Sequence, residues 1–142
     1  MSEKSKIRVG ITQGDINGVG YEIIFKTFEN TEMFDICTPI IFGSPKAAAY
    51  HRKALEMEVP YNAIDRIADA QAGRLNIINC NDDELHIELG SSSPEAGLAA
   101  FQALEKAVEK ITKELSTRLK SADDSRVVVS VIDSDDMFTP II

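Results

Sequence analysis

The apolar positions of this 142-residue chain fall into two periods, and their alternation sketches a fold. Ile7, Val9 and Ile11 recur every second residue, as one face of a strand does. Tyr21, Ile24, Phe25 and Phe28 then recur every three or four residues, the spacing of a helix face, and Asn30 offers a stop. Thr38-Pro39-Ile40-Ile41-Phe42 predicts a second strand, ended by Gly43. Ser44 and Pro45 predict a capped helix reaching about Leu55: a serine hydroxyl can accept from a first-turn N–H, and the N–H that proline lacks has no helical partner there. Strand, helix, strand, helix in that order predicts parallel pairing in an α/β sheet.

The middle of the chain is less regular. Val59-Pro60-Tyr61 reads as an irregular connection, residues 64–67 as a short strand and residues 75–80 as a firmer one. Residues 81–84 are polar and turn-like; residues 85–89 alternate apolar and polar, as a half-exposed strand would. Ser93 then serves as an N-cap, Pro94 as the first helical residue, and Glu95 suits the positive end of the helix dipole. Along this long helix Phe101, Leu104, Val108, Ile111, Leu115 and Leu119 step by three and four. The stripe predicts a face packed on the sheet, with a partner-binding helix as the alternative. Residues 127–132 predict a buried strand, and the final ten residues carry no period. The expected fold is α/β: a mixed, largely parallel sheet flanked by helices, in a single domain over residues 1–142.

Composition narrows the function classes. A hydrophobic share of 44% is enough for a core, and 15 Lys and Arg against 23 Asp and Glu leave a net charge of −8. That balance argues against nucleic-acid binding by phosphate neutralisation and against a membrane-surface role. No apolar run approaches the roughly 20 residues of a spanning helix. The charged start is followed by no apolar signal region, so a cytoplasmic location is expected. Cys37 and Cys80 form no metal or redox spacing and read as free, buried thiols.

The candidate chemistry gathers in Ile11-Thr12-Gln13-Gly14-Asp15-Ile16-Asn17-Gly18-Val19-Gly20, between the first strand and the first helix. Glycines there let the backbone turn tightly and approach a ligand, and the N–H groups of the following helix can face an anion. Thr12, Gly14, Asp15, Asn17, Gly18 and Gly20 are the candidate cofactor-binding residues. The spacing is not that of the dinucleotide fingerprint, and a tight turn that binds nothing is the competing reading. Asp15 and Asn17 would then bond the turn backbone. His51 and His86 belong to no metal-ligand spacing and read as ordinary surface or half-buried histidines. Asp82-Asp83-Glu84 reads as a solvated turn; Asp133, Asp135 and Asp136 lack the glycine and distal glutamate of a calcium loop. No catalytic or metal-binding residue is assigned.

The glycine-rich segment, with Ser93-Pro94-Glu95-Ala96-Gly97 and the alanine-rich helix after it, resembles the 4-hydroxythreonine-4-phosphate dehydrogenase family over about residues 7–108. The family usually has Pro-Glu after the last glycine of its opening; here Tyr21 replaces the proline and Glu22 keeps the acid. The resemblance implies the N-terminal part of an isocitrate/isopropylmalate dehydrogenase-like architecture with two α/β domains and the active site between them. It implies oxidation of a phosphorylated 3-hydroxy amino acid with NAD or NADP, followed by decarboxylation, with a divalent metal as Lewis acid and a homodimer as the assembly. After about Val108 the pattern departs: the family's Ala-Pro-Ile-Asn-Lys stretch, its Gly-His-Thr motif and its metal-binding histidines have no counterpart here. The isolated chain is therefore expected to be inactive. A non-catalytic domain that assembles through its long helix and a binder of phosphate or another small molecule are the alternatives.

Overall fold

The computed structural model describes residues 7–81, 84–121 and 127–130, with the backbone alone for residues 115, 117–121 and 127–130. In chain order the elements are β1 (Ile7–Thr12), α1 (Gly20–Glu29), the single turn α2 (Met33–Ile36), β2 (Cys37–Gly43), α3 (Pro45–Ala54) and β3 (Tyr61–Ile64). A 3₁₀ turn (Ile67–Asp69), β4 (Leu75–Asn79), α4 (Pro94–Ser121) and β5 (Val127–Ser130) follow. The strands form one sheet in the order β3-β4-β2-β1-β5, and each of the four pairings is parallel. β2 sits at the centre and is buried along its whole length, which is why it reads as a continuous apolar run rather than an alternation.

Strand alternation divides the core in two. Ile11, Ile41 and Ile77 join α1 and α3 residues, among them Ile24, Phe25, Ala47 and Ala48. Ile40, Phe42 and Ile78 join Ala107 and Ile111 of α4 and Ile67 of the 3₁₀ turn. Helices thus cover both faces, and the carboxyl ends of β1, β2 and β4 share one edge of the sheet.

Three expectations change. The strand expected over residues 64–67 lies earlier: Tyr61 to Ile64 pair with Leu75 to Ile78, and Ile67 begins the 3₁₀ turn instead. Residues 85–89 keep the alternation, with Leu85 and Ile87 packed against the core, but join no sheet. Their backbone is committed elsewhere, His86 N–H to the Glu95 carboxylate and Glu88 N–H to Asn17. The third change concerns α4. Its buried face is a row of small residues, Ala96, Ala99, Ala103 and Ala107, while Phe101 is 58% and Val108 55% exposed, with Leu98 and Leu104 also outward. Alanine on the inner face lets the helix lie close to the sheet, where Phe42 and Ile111 already crowd Gly10. Of the predicted stripe only Ile111 packs on the core among the described side chains. The acidic stretch at Asp133, Asp135 and Asp136 lies outside the described residues, as do Asp82 and Asp83.

Candidate functional site at the carboxyl edge of the sheet

The site grows from the end of β1. Thr12 is its last residue and is buried; Gln13 N–H donates to the Phe42 carbonyl at 3.0 Å, carrying the ladder one step further. Gly14 then takes φ +68°, a left-handed conformation that glycine adopts without steric penalty. Asp15 shapes the turn: its Oδ1 accepts from Asn17 N–H at 2.9 Å and its carbonyl from Gly18 N–H at 3.0 Å. Gly20 opens α1 against the strand end. A Cβ there would sit 2.5 Å from the Gln13 carbonyl oxygen, so close approach of backbone to backbone requires glycine.

The start of α1 differs chemically from the starts of α3 and α4. Ser44 Oγ accepts from Ala47 N–H at 3.1 Å, and Ser93 Oγ from Ala96 N–H at 3.1 Å. The residue preceding α1 is Val19, which supplies no side-chain cap. The first-turn N–H groups of α1 therefore keep the positive end of the helix dipole without a side-chain acceptor, beside the glycine loop.

Below the loop lies a buried polar hub. Gln13 Oε1 accepts from the Tyr21 hydroxyl at 2.7 Å and from Ser44 N–H at 2.9 Å; its Nε2 donates to Asn81 Oδ1 at 2.7 Å. Asn81 Nδ2 continues to the Ala99 carbonyl and Gln102 Oε1, at 3.1 and 3.0 Å. The hub thus joins the loop after β1 to the N-cap of α3 and the inner face of α4. Burial pushes the Tyr21 phenol far above its ordinary pKa, so it stays a neutral donor. The Tyr21 ring stacks on Phe25 and His51, with centroids 5.9 and 5.4 Å away. His51 is 4% exposed and its Nε2 lies 2.6 Å from the Ile16 carbonyl, deeper in the fold than the surface or half-buried position expected of it.

Asn17 clasps the other side of the loop. Its Oδ1 accepts from Glu88 N–H at 2.8 Å, its Nδ2 donates to the Ser91 carbonyl at 3.1 Å, and its own carbonyl accepts from Gly90 N–H at 2.9 Å. The segment between β4 and α4 is thereby tied to the glycine loop.

The six candidate residues thus divide by task. Asp15 and Asn17 use side-chain atoms on the protein itself, Thr12 and Gly20 are buried, and half-buried Gly14 and Gly18 leave backbone nearer the surface. Gln13 and Asn81 were not singled out by sequence, and Tyr21 and His51 were not expected in a polar hub, since partners up to 68 residues apart leave no local pattern. His86 is exposed. Cys37 and Cys80 are free, and burial pushes the Cys80 thiol up to about 11 against the pull of Lys106 and Lys110. Among the described residues no three His, Cys, Asp or Glu side chains group to hold a metal ion, so the divalent metal implied by the resemblance finds no fitting ligand set there. No helix among them is long and apolar enough to cross a membrane.

Comparison with known proteins decides the relationship. Over 113 residues the chain is 53% identical to a 4-hydroxythreonine-4-phosphate dehydrogenase of Bacteroides thetaiotaomicron, covering 80% of this chain and 31% of that enzyme. Over these residues the chain is similar to the 4-hydroxythreonine-4-phosphate dehydrogenases. Its backbone matches the crystal structure of a 4-hydroxythreonine-4-phosphate dehydrogenase from Burkholderia phymatum with a TM-score of 0.64 at 25% identity, over 88% of this chain and 36% of that one. A 4-hydroxythreonine-4-phosphate dehydrogenase from Klebsiella pneumoniae shares the fold, with a TM-score of 0.63 at 18% identity over 92% and 38% of the two chains. The chain spans about a third of the length of the curated 4-hydroxythreonine-4-phosphate dehydrogenase it matches. No family model matches it.

Proposed function

We propose that this chain forms a single α/β unit corresponding to the N-terminal, glycine-loop part of a 4-hydroxythreonine-4-phosphate dehydrogenase-like protein of the cytoplasm. The substrate class is a small phosphorylated 3-hydroxy amino acid, oxidised and then decarboxylated in a step of vitamin B6 biosynthesis. The observation that carries this reading is the 53% identity to the Bacteroides enzyme over 113 residues. The uncapped start of α1 beside the loop supports it, because free first-turn N–H groups suit a phosphate.

In this reading Thr12 forms the floor of a cofactor subsite, and backbone at Gly14, Gly18 and Gly20 provides its wall. Asp15 and Asn17 hold the wall in shape through the bonds described above. NAD or NADP, when bound, supplies the hydride acceptor. The chain's own contribution is to bind and orient a phosphate group, since no metal ligand set or proton-transfer group is assigned to it. Alone, it is expected to give no turnover. An assay of cofactor reduction with 4-hydroxythreonine 4-phosphate, NAD or NADP and a divalent metal tests this, and measurable turnover by the chain alone contradicts it.

A second reading, self-association, is favoured by the outward row Leu98, Phe101, Leu104 and Val108 on α4. Clustered apolar surface of this kind marks interaction faces, and a homodimer would cover it. Sedimentation equilibrium should show a concentration-dependent dimer that Phe101→Ser weakens. A monomer at every concentration removes the reading.

A further inference from the structure

We propose that the hollow at the opposite, amino-terminal edge of the sheet is a binding site for a free amino acid with an apolar side chain. Its lining includes Phe28, Phe34, Val59, Glu29, Glu58 and Arg74, and its volume is about 200 Å³. It lies where α1 ends and where the chain enters β3 and β4, away from the glycine loop that opens α1. The volume falls below the roughly 300–1,000 Å³ of sites for drug-sized ligands and suits a single amino acid.

The lining supplies three kinds of contact. Phe28 and Phe34, with ring centroids 5.5 Å apart, and Val59 and Pro60 form an apolar wall. Arg74 brings a guanidinium, and Glu29 and Glu58 bring carboxylates. The ion pairs among the described residues are Arg8–Glu114, Lys26–Glu22, Arg66–Asp69 and Lys113–Glu109; none joins Arg74 to Glu29 or Glu58. Opposite charges around one apolar hollow, unpaired with each other, complement a ligand that carries both charges on an apolar body. Its carboxylate pairs with Arg74, for which a planar guanidinium fork is suited, and its ammonium with the two glutamates. The negative end of the α1 dipole, at Glu29, adds to the attraction for the ammonium.

The test is calorimetric titration of the whole chain with L-phenylalanine and L-leucine, beside phenylacetate, which lacks the ammonium, and phenethylamine, which lacks the carboxylate. Saturable binding of at least one amino acid is expected, with each half-ligand weaker by roughly tenfold. Arg74→Ala should weaken the amino acid by a similar factor and leave phenethylamine unchanged; Glu58→Gln should spare phenylacetate. Both positions are exposed, so the variants keep the core intact. No saturation by about 10 mM, half-ligands that bind as tightly as the amino acids, or indifference to Arg74→Ala would each overturn the site. None of these outcomes bears on the glycine loop.

Discussion

Glycine at two positions of this chain has opposite consequences, and only the structure separates them. At Gly20 an added methyl meets the Gln13 carbonyl oxygen at 2.5 Å, and neither backbone can yield without moving β1 from α1. Gly20→Ala should therefore cost about 1–3 kcal/mol, the range for forced overpacking. At Gly97, inside α4, nothing lies within 4 Å of the same added atom. Gly97→Ala should instead stabilise by about 0.5–1 kcal/mol, because alanine loses less backbone entropy in a helix. Urea denaturation of both variants checks the pair; equal effects at the two sites would refute the packing account of Gly20. Sequence showed both as glycines of a matching motif. It could not show that one faces a carbonyl and the other open space. The same limit hid Gln13, whose polar side chain after a strand gives no hint that it is buried against Asn81 and Tyr21.

At the scale of elements, local chemistry was readable where the partners are neighbours. Ser44 and Ser93 cap the helices that begin at Pro45 and Pro94, as the serine–proline pairs imply. The order of strands and helices was readable for the same reason, since each period is local. Rotation of α4 about its axis was not. Large apolar residues at helical spacing would ordinarily face the sheet, yet a second row of alanines fits closer and takes the inner face. Residues 85–89 show a related conflict: alternation predicts a strand, but Asn17 takes the Glu88 N–H that a sheet neighbour would have used. The clasp has a measurable consequence. Asn17→Ala removes the bonds to Glu88 and Ser91 and leaves the Glu88 N–H without its acceptor, at a cost of about 2 kcal/mol. Hydrogen exchange at Glu88 should speed up by roughly tenfold or more while the amides of β2 keep their protection, because the opening is local. Unchanged exchange at Glu88 would show that the segment is held by something else.

At the scale of the whole molecule, the fold places two distinct surfaces at opposite edges of one parallel sheet. The carboxyl edge carries the glycine loop, the uncapped start of α1 and a buried hub that fixes both. The other edge carries the small amphiphilic hollow. The chain spans about a third of the Bacteroides enzyme it matches. The central claim is that the loop and the first turn of α1 receive a phosphate-bearing cofactor. Its most direct measurement is a titration of the isotope-labelled chain with NAD and with NADP, followed by amide resonances. The largest shifts are expected at Gly14, Gly18, Gly20, Tyr21 and Glu22, with saturation. An absence of shifts at these amides up to about 10 mM of either cofactor, or shifts centred on another part of the fold, would contradict the account.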